Sequence, residues 1–170
     1  PYWQYAGQRA VESSANEEAI RHLQTGLTLL EHLPDTPQRT QQELALRVAL
    51  GTPLTATQGY TAPAVEELYT QARELCRQLG ETPQLFLVLF GLWRFYLVAG
   101  KSHIARELAE QCLRQAESVN TASFLLTAHL MLGSTLCGFG ELAAAQEHLT
   151  RSLDFYDPES HRPDRPDGAL

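Results

Sequence analysis

Apolar residues recur along this chain every three or four positions and never settle into alternation, so the pattern predicts helices and no strands. In VEELYTQARELCRQL, the residues Val65, Leu68, Tyr69, Ala72, Leu75, Cys76 and Leu79 fall on one helical face. In IARELAEQCLRQA, Ile104, Ala105, Leu108, Ala109, Cys112 and Leu113 do the same. Ala, Leu, Gln, Glu and Arg fill the remaining positions, and all favour helix. Turn signals divide the chain into eight predicted helices in four pairs, over 2–14, 16–32, 36–53, 62–79, 83–99, 101–118, 121–138 and 141–155. Asn16, ahead of Glu17 and Glu18, reads as an N-cap with acids in the first turn. Thr36-Pro37 and Thr82-Pro83 each place a capping hydroxyl before a proline at the first helical position. Gly80, Gly100 and Gly140 stand where left-handed residues end helices.

The segment LFLVLFGLWRFYLVAG, residues 85–100, carries a single charge at Arg94 and stands out as the one long apolar run. It is shorter than the roughly 20 residues of a membrane span, and Arg94 inside a bilayer would cost about 2.5 kcal/mol or more. The expectation is a helix covered on most sides by protein.

Alternating helices with short connections call for a search for repeats. Ala105 and Ala145 each lie five residues after a glycine, and Ala109 and Leu149 follow them by four. Val65, Tyr69 and Ala72 continue the series upstream, as do Ala19, Leu23 and Gly26. These residues resemble the tetratricopeptide repeat, whose pattern is Trp-x2-Leu-Gly-x2-Tyr, then Ala-x3-Phe, then Pro. The first unit matches through Trp3, Ala6, Gly7, Ala19, Leu23 and Pro34. The third matches through Leu89, Leu92, Trp93, Tyr96, Ala105 and Ala109, and the fourth through Leu132, Gly133, Leu136, Ala145, Leu149 and Pro158. The second is degenerate, keeping Leu50-Gly51 before a lengthened turn, TPLTATQGYTAP. The resemblance implies an all-α fold: a right-handed superhelical stack of about four helix-turn-helix hairpins over 1–157. Its units fall at 1–34, 36–80, 83–119 and 121–157, with 158–170 as linker or disordered tail. Small residues at Gly7, Ala19, Gly51, Gly133 and Ala145 would let paired helices approach. Large ones at Trp3, Leu23, Tyr69, Leu89, Tyr96 and Leu149 would fill the gaps between hairpins. The wording of residues 1 to about 162 also resembles the C-terminal helical region of large bacterial signalling ATPases, which join nucleotide-cyclase-like and STAND-type ATPase domains to such arrays.

Composition narrows the function classes. The net charge of -7 and the pI near 5.3 weigh against nucleic acid or an anionic membrane surface as partner. The three cysteines, Cys76, Cys112 and Cys137, form no disulfide spacing and read as small core residues of a cytoplasmic protein. A chain opening on Pro1 reads as a piece of something longer or as a processed product. No GxxxxGK[ST], GxSxG, HExxH or CxxC occurs, so neither catalysis nor a cofactor is expected. His129, Cys137 and His148 could share one region, although their spacing is poor for metal ligation. Glu17-Glu18 and Glu66-Glu67 read as dipole complements at helix starts.

What remains is surface. The resemblance implies that first helices line a concave binding face. Its inward positions would be Gln4, Gln8, Val48, Thr52, Thr55, Phe90, Arg94, Leu97, Leu130, Ser134 and Cys137. Arg94 then reads either as a snorkelling side chain paired with a nearby acid or carbonyl, or as an anchor for a partner's carboxylate. The expected function is a non-catalytic scaffold for a protein, a peptide or another domain of its own chain, with self-association through repeat ends as a further route. The alternative is a small-ligand sensor of a STAND-type regulator. The repeat register makes Ala105 a close helix contact. Ala105→Arg should therefore abolish cooperative melting, and a melting temperature within a few degrees of wild type would refute the register.

Overall fold

A computed structural model describes residues 3, 5–7, 15–80 and 82–157. Most of the predicted 2–14 helix, including Gln4 and Gln8, lies outside that range, as does the 158–170 tail. Among the described residues the chain is helical, without strands. Its helices are α1 (Asn16–Glu31), α2 (Pro37–Gln58), α3 (Pro63–Leu79), α4 (Gln84–Val98), α5 (Ser102–Val119), α6 (Ala122–Phe139) and α7 (Leu142–Asp154). Trp3 and residues 5–7 are helical as well. The backbone divides into two compact units, and the division falls inside α5, after Leu108.

In the first unit α1 packs on α2, α2 on α3, and α3 on α4, with α2 also touching α4. One core joins them: Leu23 and Leu30 of α1, Leu46, Leu50 and Leu54 of α2, Val65 and Leu68 of α3, and Phe95 of α4. The apolar face read from α3 is the face that is covered. On α5 the match is incomplete. Ala105, Leu108, Ala109 and Cys112 are buried, but Ile104 is exposed.

Helix ends follow the sequence in part. Thr36 caps α2, its hydroxyl accepting from the Arg39 N–H at 3.2 Å. Asn16 does not cap. The N-cap is Ala15, without a side-chain bond, and Asn16 already lies within α1. Nor does Thr82: α4 starts at Gln84 behind Pro83, without a side-chain cap. Gly100 and Gly140 have φ of 73° and 76°. Around each, the next residue's N–H bonds back five positions, Lys101 to Tyr96 and Glu141 to Leu136, which closes the helix end. Asn120, with φ of 53°, ends α5 in the same left-handed region.

The largest departure is in α2. The sequence reading ended that helix at Pro53, because an internal proline loses a hydrogen bond and crowds the carbonyl four residues back. The helix instead continues to Gln58 with Pro53 inside it, buried. Burial of Pro53 and Leu54 offsets the missing bond. Thr55 and Thr57 hydroxyls donate to the carbonyls of Gly51 and Pro53, at 2.8 and 2.9 Å. The supposed long turn is thus one and a half further turns of helix, followed by a tight connection at Gly59, where φ is 90°.

Close helix approach rests on large side chains seated over glycine. A β-carbon on Gly7 would meet the Leu23 Cγ at 2.6 Å, and one on Gly133 would meet the Leu149 Cγ at 2.6 Å. Both pairs are sixteen residues apart. Tyr69 of α3 serves two glycines: its hydroxyl end covers Gly51 on α2, and its ring covers Gly91 on α4. Added side chains collide at both places.

In the second unit α6 packs on α7. By length and hydropathy α6, rather than the 85–100 run, is the described helix apolar enough to cross a membrane. Its buried residues are Leu125, Ala128, His129, Met131, Leu132, Gly133, Thr135 and Leu136, a broad stripe of helical spacing with polar groups inside it. A core helix packed against α7 accounts for that composition.

The double role of Tyr69 yields a measurable asymmetry. Gly51→Ala and Gly91→Ala should each destabilise by about 1–3 kcal/mol in denaturant titration. Tyr69→Phe should restore more of the loss at Gly51, where the hydroxyl is the nearest atom, than at Gly91, where the ring is. Equal rescue at both sites would rule out this seating.

A candidate recognition cavity around Arg94

The continuation of α2 has a functional consequence. A cavity of about 340 Å³ lies in the first unit, walled by three helices and the connection after α2. From α2 come Val48, Thr52, Thr55 and Ala56; Tyr60 comes from the connection, and Val65 and Tyr69 from α3. Leu87, Phe90, Gly91, Arg94 and Phe95 come from α4. Thr55 and Ala56 reach it only because the helix runs past Pro53. The walls are mostly apolar, and among these residues Arg94 alone is charged.

Arg94 is exposed at the rim. Its guanidinium carbon lies 4.6 Å from the centre of the Tyr60 ring and 5.7 Å from that of Phe90. Stacking on aromatic faces orients a guanidinium and leaves its N–H edge available. Among the described residues no carboxylate pairs with it. The acid partner expected for a purely structural arginine is therefore not supplied by them. Nearby, Tyr69 presents a phenol that burial holds above its ordinary pKa, with Arg94 pulling the other way. It is a neutral donor near pH 7. Its hydroxyl has no hydrogen-bond partner among the described residues.

Of the predicted groove positions, the structure gathers Val48, Thr52, Thr55, Phe90 and Arg94 around this one cavity. Leu97 is half-buried and not part of its lining. Leu130, Ser134 and Cys137 lie on the exposed side of α6 in the second unit. Cys137 is therefore not a core cysteine, in contrast to buried Cys76 and Cys112. Burial pushes the Cys112 thiol up to about 12, which keeps it protonated and inert. Tyr60, Tyr69, Ala56 and Leu87 escaped the sequence reading of the site. Tyr60 sits in what looked like a disposable turn, and Tyr69 looked like packing alone. Tyr96 was also read as filler, yet its hydroxyl donates to Glu66 at 2.6 Å and ties α4 to the first turn of α3. Glu66 thus does more than complement a helix dipole.

The second unit holds a polar cluster of another kind. His129 Nδ1 and His148 Nδ1 lie 2.9 Å apart across α6 and α7, and Phe155 stacks on His129 with ring centres 5.9 Å apart. Cys137 does not join them, and no group of three potential ligands converges anywhere among the described residues. The two Nδ1 atoms satisfy each other, one donating and the other accepting, and each ring keeps its Nε2. Burial pushes the His129 pKa below its ordinary value, aided by His148 and Arg151 and opposed by Glu117 of α5 and Asp154 of α7.

Comparison with protein-family models and with curated proteins finds no match to the chain.

The depressed His129 pKa fixes the sign of a pH effect. The unfolded chain binds the proton more tightly, so stability is complete above the ordinary histidine value of 6.5 and is lost as pH falls through the lower folded value. Urea midpoints should therefore drop between pH 7 and pH 5, and His129→Phe should flatten part of that slope. An unchanged slope in the variant would show that His129 is not responsible.

Proposed function

We propose that this chain is a non-catalytic recognition module, a tetratricopeptide-like repeat segment of a larger bacterial signalling protein, acting in the cytoplasm. In this reading the hairpins stack as a right-handed superhelix, and the inner helix faces bind a protein or peptide segment. The repeat register finds support in the Gly7–Leu23 and Gly133–Leu149 seats, which share a spacing and a packing geometry. The observation that carries the function is Arg94, fixed by two aromatic rings at the rim of an apolar cavity and lacking an acid partner among the described residues. An oriented cation beside apolar walls is an anchor for an anionic group on an apolar partner. No set of acid, base and nucleophile forms part of this reading.

A second reading, a small-ligand sensor, draws on the cavity's size, which falls within the roughly 300–1,000 Å³ of small-molecule sites. The two readings share the cavity and differ in what fills it.

Peptide-display selection on the wild-type protein, with binding then measured on Arg94→Ala, tests the proposal. Selected peptides should lose roughly tenfold in affinity, about 1.4 kcal/mol, while the melting temperature stays close to wild type. Equal affinity for the variant would remove Arg94 from the site. A large fall in melting temperature would make Arg94 a structural group.

A further inference from the structure

Resting on that reading of the cavity, we propose that its ligand is a monocarboxylate borne on a compact apolar or aromatic body. The charge is set by Arg94, the one ionised group in the lining. A guanidinium whose carbon lies over the Tyr60 and Phe90 rings keeps N–H groups to donate, and its fork matches the two oxygens of a carboxylate. A phosphate dianion fits less well. Sites for dianions draw on backbone N–H groups at helix starts or on several cations. Arg94 instead lies near the C-terminal end of α4, which finishes at Val98, where the helix dipole is negative. A single charge is what one arginine in that place can balance.

Three further features constrain the ligand. Tyr69 presents its unbonded hydroxyl as a second donor, suited to a carboxylate oxygen or to a carbonyl next to it. Gly91 admits the Tyr69 ring against α4, which holds that phenol in the cavity wall. Val48, Ala56, Val65, Leu87 and Phe95 make most of the remaining wall apolar beside Thr52 and Thr55, with no acid to attract a cation. At about 340 Å³ the cavity has room for a phenyl or branched alkyl group together with the short chain that carries its carboxylate. Such a group arises either as a free small acid or as the last residue of a peptide with a free C-terminus.

Amide NMR spectra of the 15N-labelled chain, titrated separately with 3-phenylpropionate, 3-phenylpropionamide, inorganic phosphate and N-acetyl-leucyl-phenylalanine, test this. The acid should shift the amides of Thr52, Leu87 and Gly91 saturably, and the isosteric amide should bind at least roughly tenfold more weakly, about 1.4 kcal/mol. Arg94→Gln should reduce the acid to the affinity of the amide, and Arg94→Lys should fall between, since it keeps charge and loses the fork. The dipeptide acid binding tighter than 3-phenylpropionate would support the carboxylate proposal with a peptide terminus as its source; the reverse order would support it with a free acid. Equal binding of acid and amide would overturn the carboxylate while leaving an apolar recognition cavity standing. Phosphate binding tighter than the acid would overturn the monoanion. Failure of all four probes to shift cavity amides would overturn both this inference and the recognition reading.

Discussion

The first unit depends on one side chain, Tyr69, wedged between two helices that have given up side chains to admit it. Gly51 on α2 takes its hydroxyl end and Gly91 on α4 takes its ring. A tyrosine in that position sets the separation of α2 and α4 without needing either to contribute bulk. It also leaves a polar atom inside an otherwise apolar construction. In a closed core that atom would cost on the order of 1–3 kcal/mol unless bonded. Here it lies in the wall of a cavity, where water or a ligand can satisfy it. The packing solution and the candidate site are the same feature.

The same economy governs the rim. Continuing α2 past Pro53 sacrifices one backbone hydrogen bond, yet it carries Thr55 and Ala56 to the wall and sets the start of the connection that bears Tyr60. Tyr60 then gives Arg94 an aromatic surface to lie on. A long cationic side chain is ordinarily mobile, and fixing it costs rotamer entropy. Two aromatic faces meet part of that cost before any ligand arrives, which is how preorganisation raises affinity without adding contacts.

Much of this architecture could be read from residue spacing because helices write their contacts at fixed intervals. Gly7 and Gly133 were legible as close-approach positions, and Gly100 and Gly140 as helix ends, whereas Leu23 and Leu149, read as fillers between hairpins, sit on those two glycines. Other features were illegible for stated reasons. Pro53 is a helix breaker by its local chemistry, and only burial in the assembled unit overrides that rule. Asn16 and Thr82 carry the right groups for caps, but capping depends on backbone angles one residue away that composition does not set. The cavity was half visible. Inward positions on α2 and α4 follow from helical period, whereas Tyr60 and Tyr69 reach it through a turn and a packing seat that the repeat pattern does not encode. The assignments that depended on Leu97, Leu130, Ser134 and Cys137 assumed one continuous groove, and the cavity does not draw on them.

The two units treat their polar groups differently. His129 and His148 face each other at 2.9 Å and bond through their Nδ1 atoms, with Phe155 stacked on the His129 ring. Such a pair ties α6 to α7. Around the first cavity the accounts stay open: Arg94 has aromatic neighbours and no described acid, and the Tyr69 hydroxyl has no described acceptor. Groups that a fold positions but does not itself satisfy are the groups that can respond to something outside it. Within an acidic chain of net charge -7, carboxylates were at hand to neutralise Arg94, and the described part of the fold places none of them there. That arrangement leaves the positive edge of the guanidinium for a ligand's negative charge.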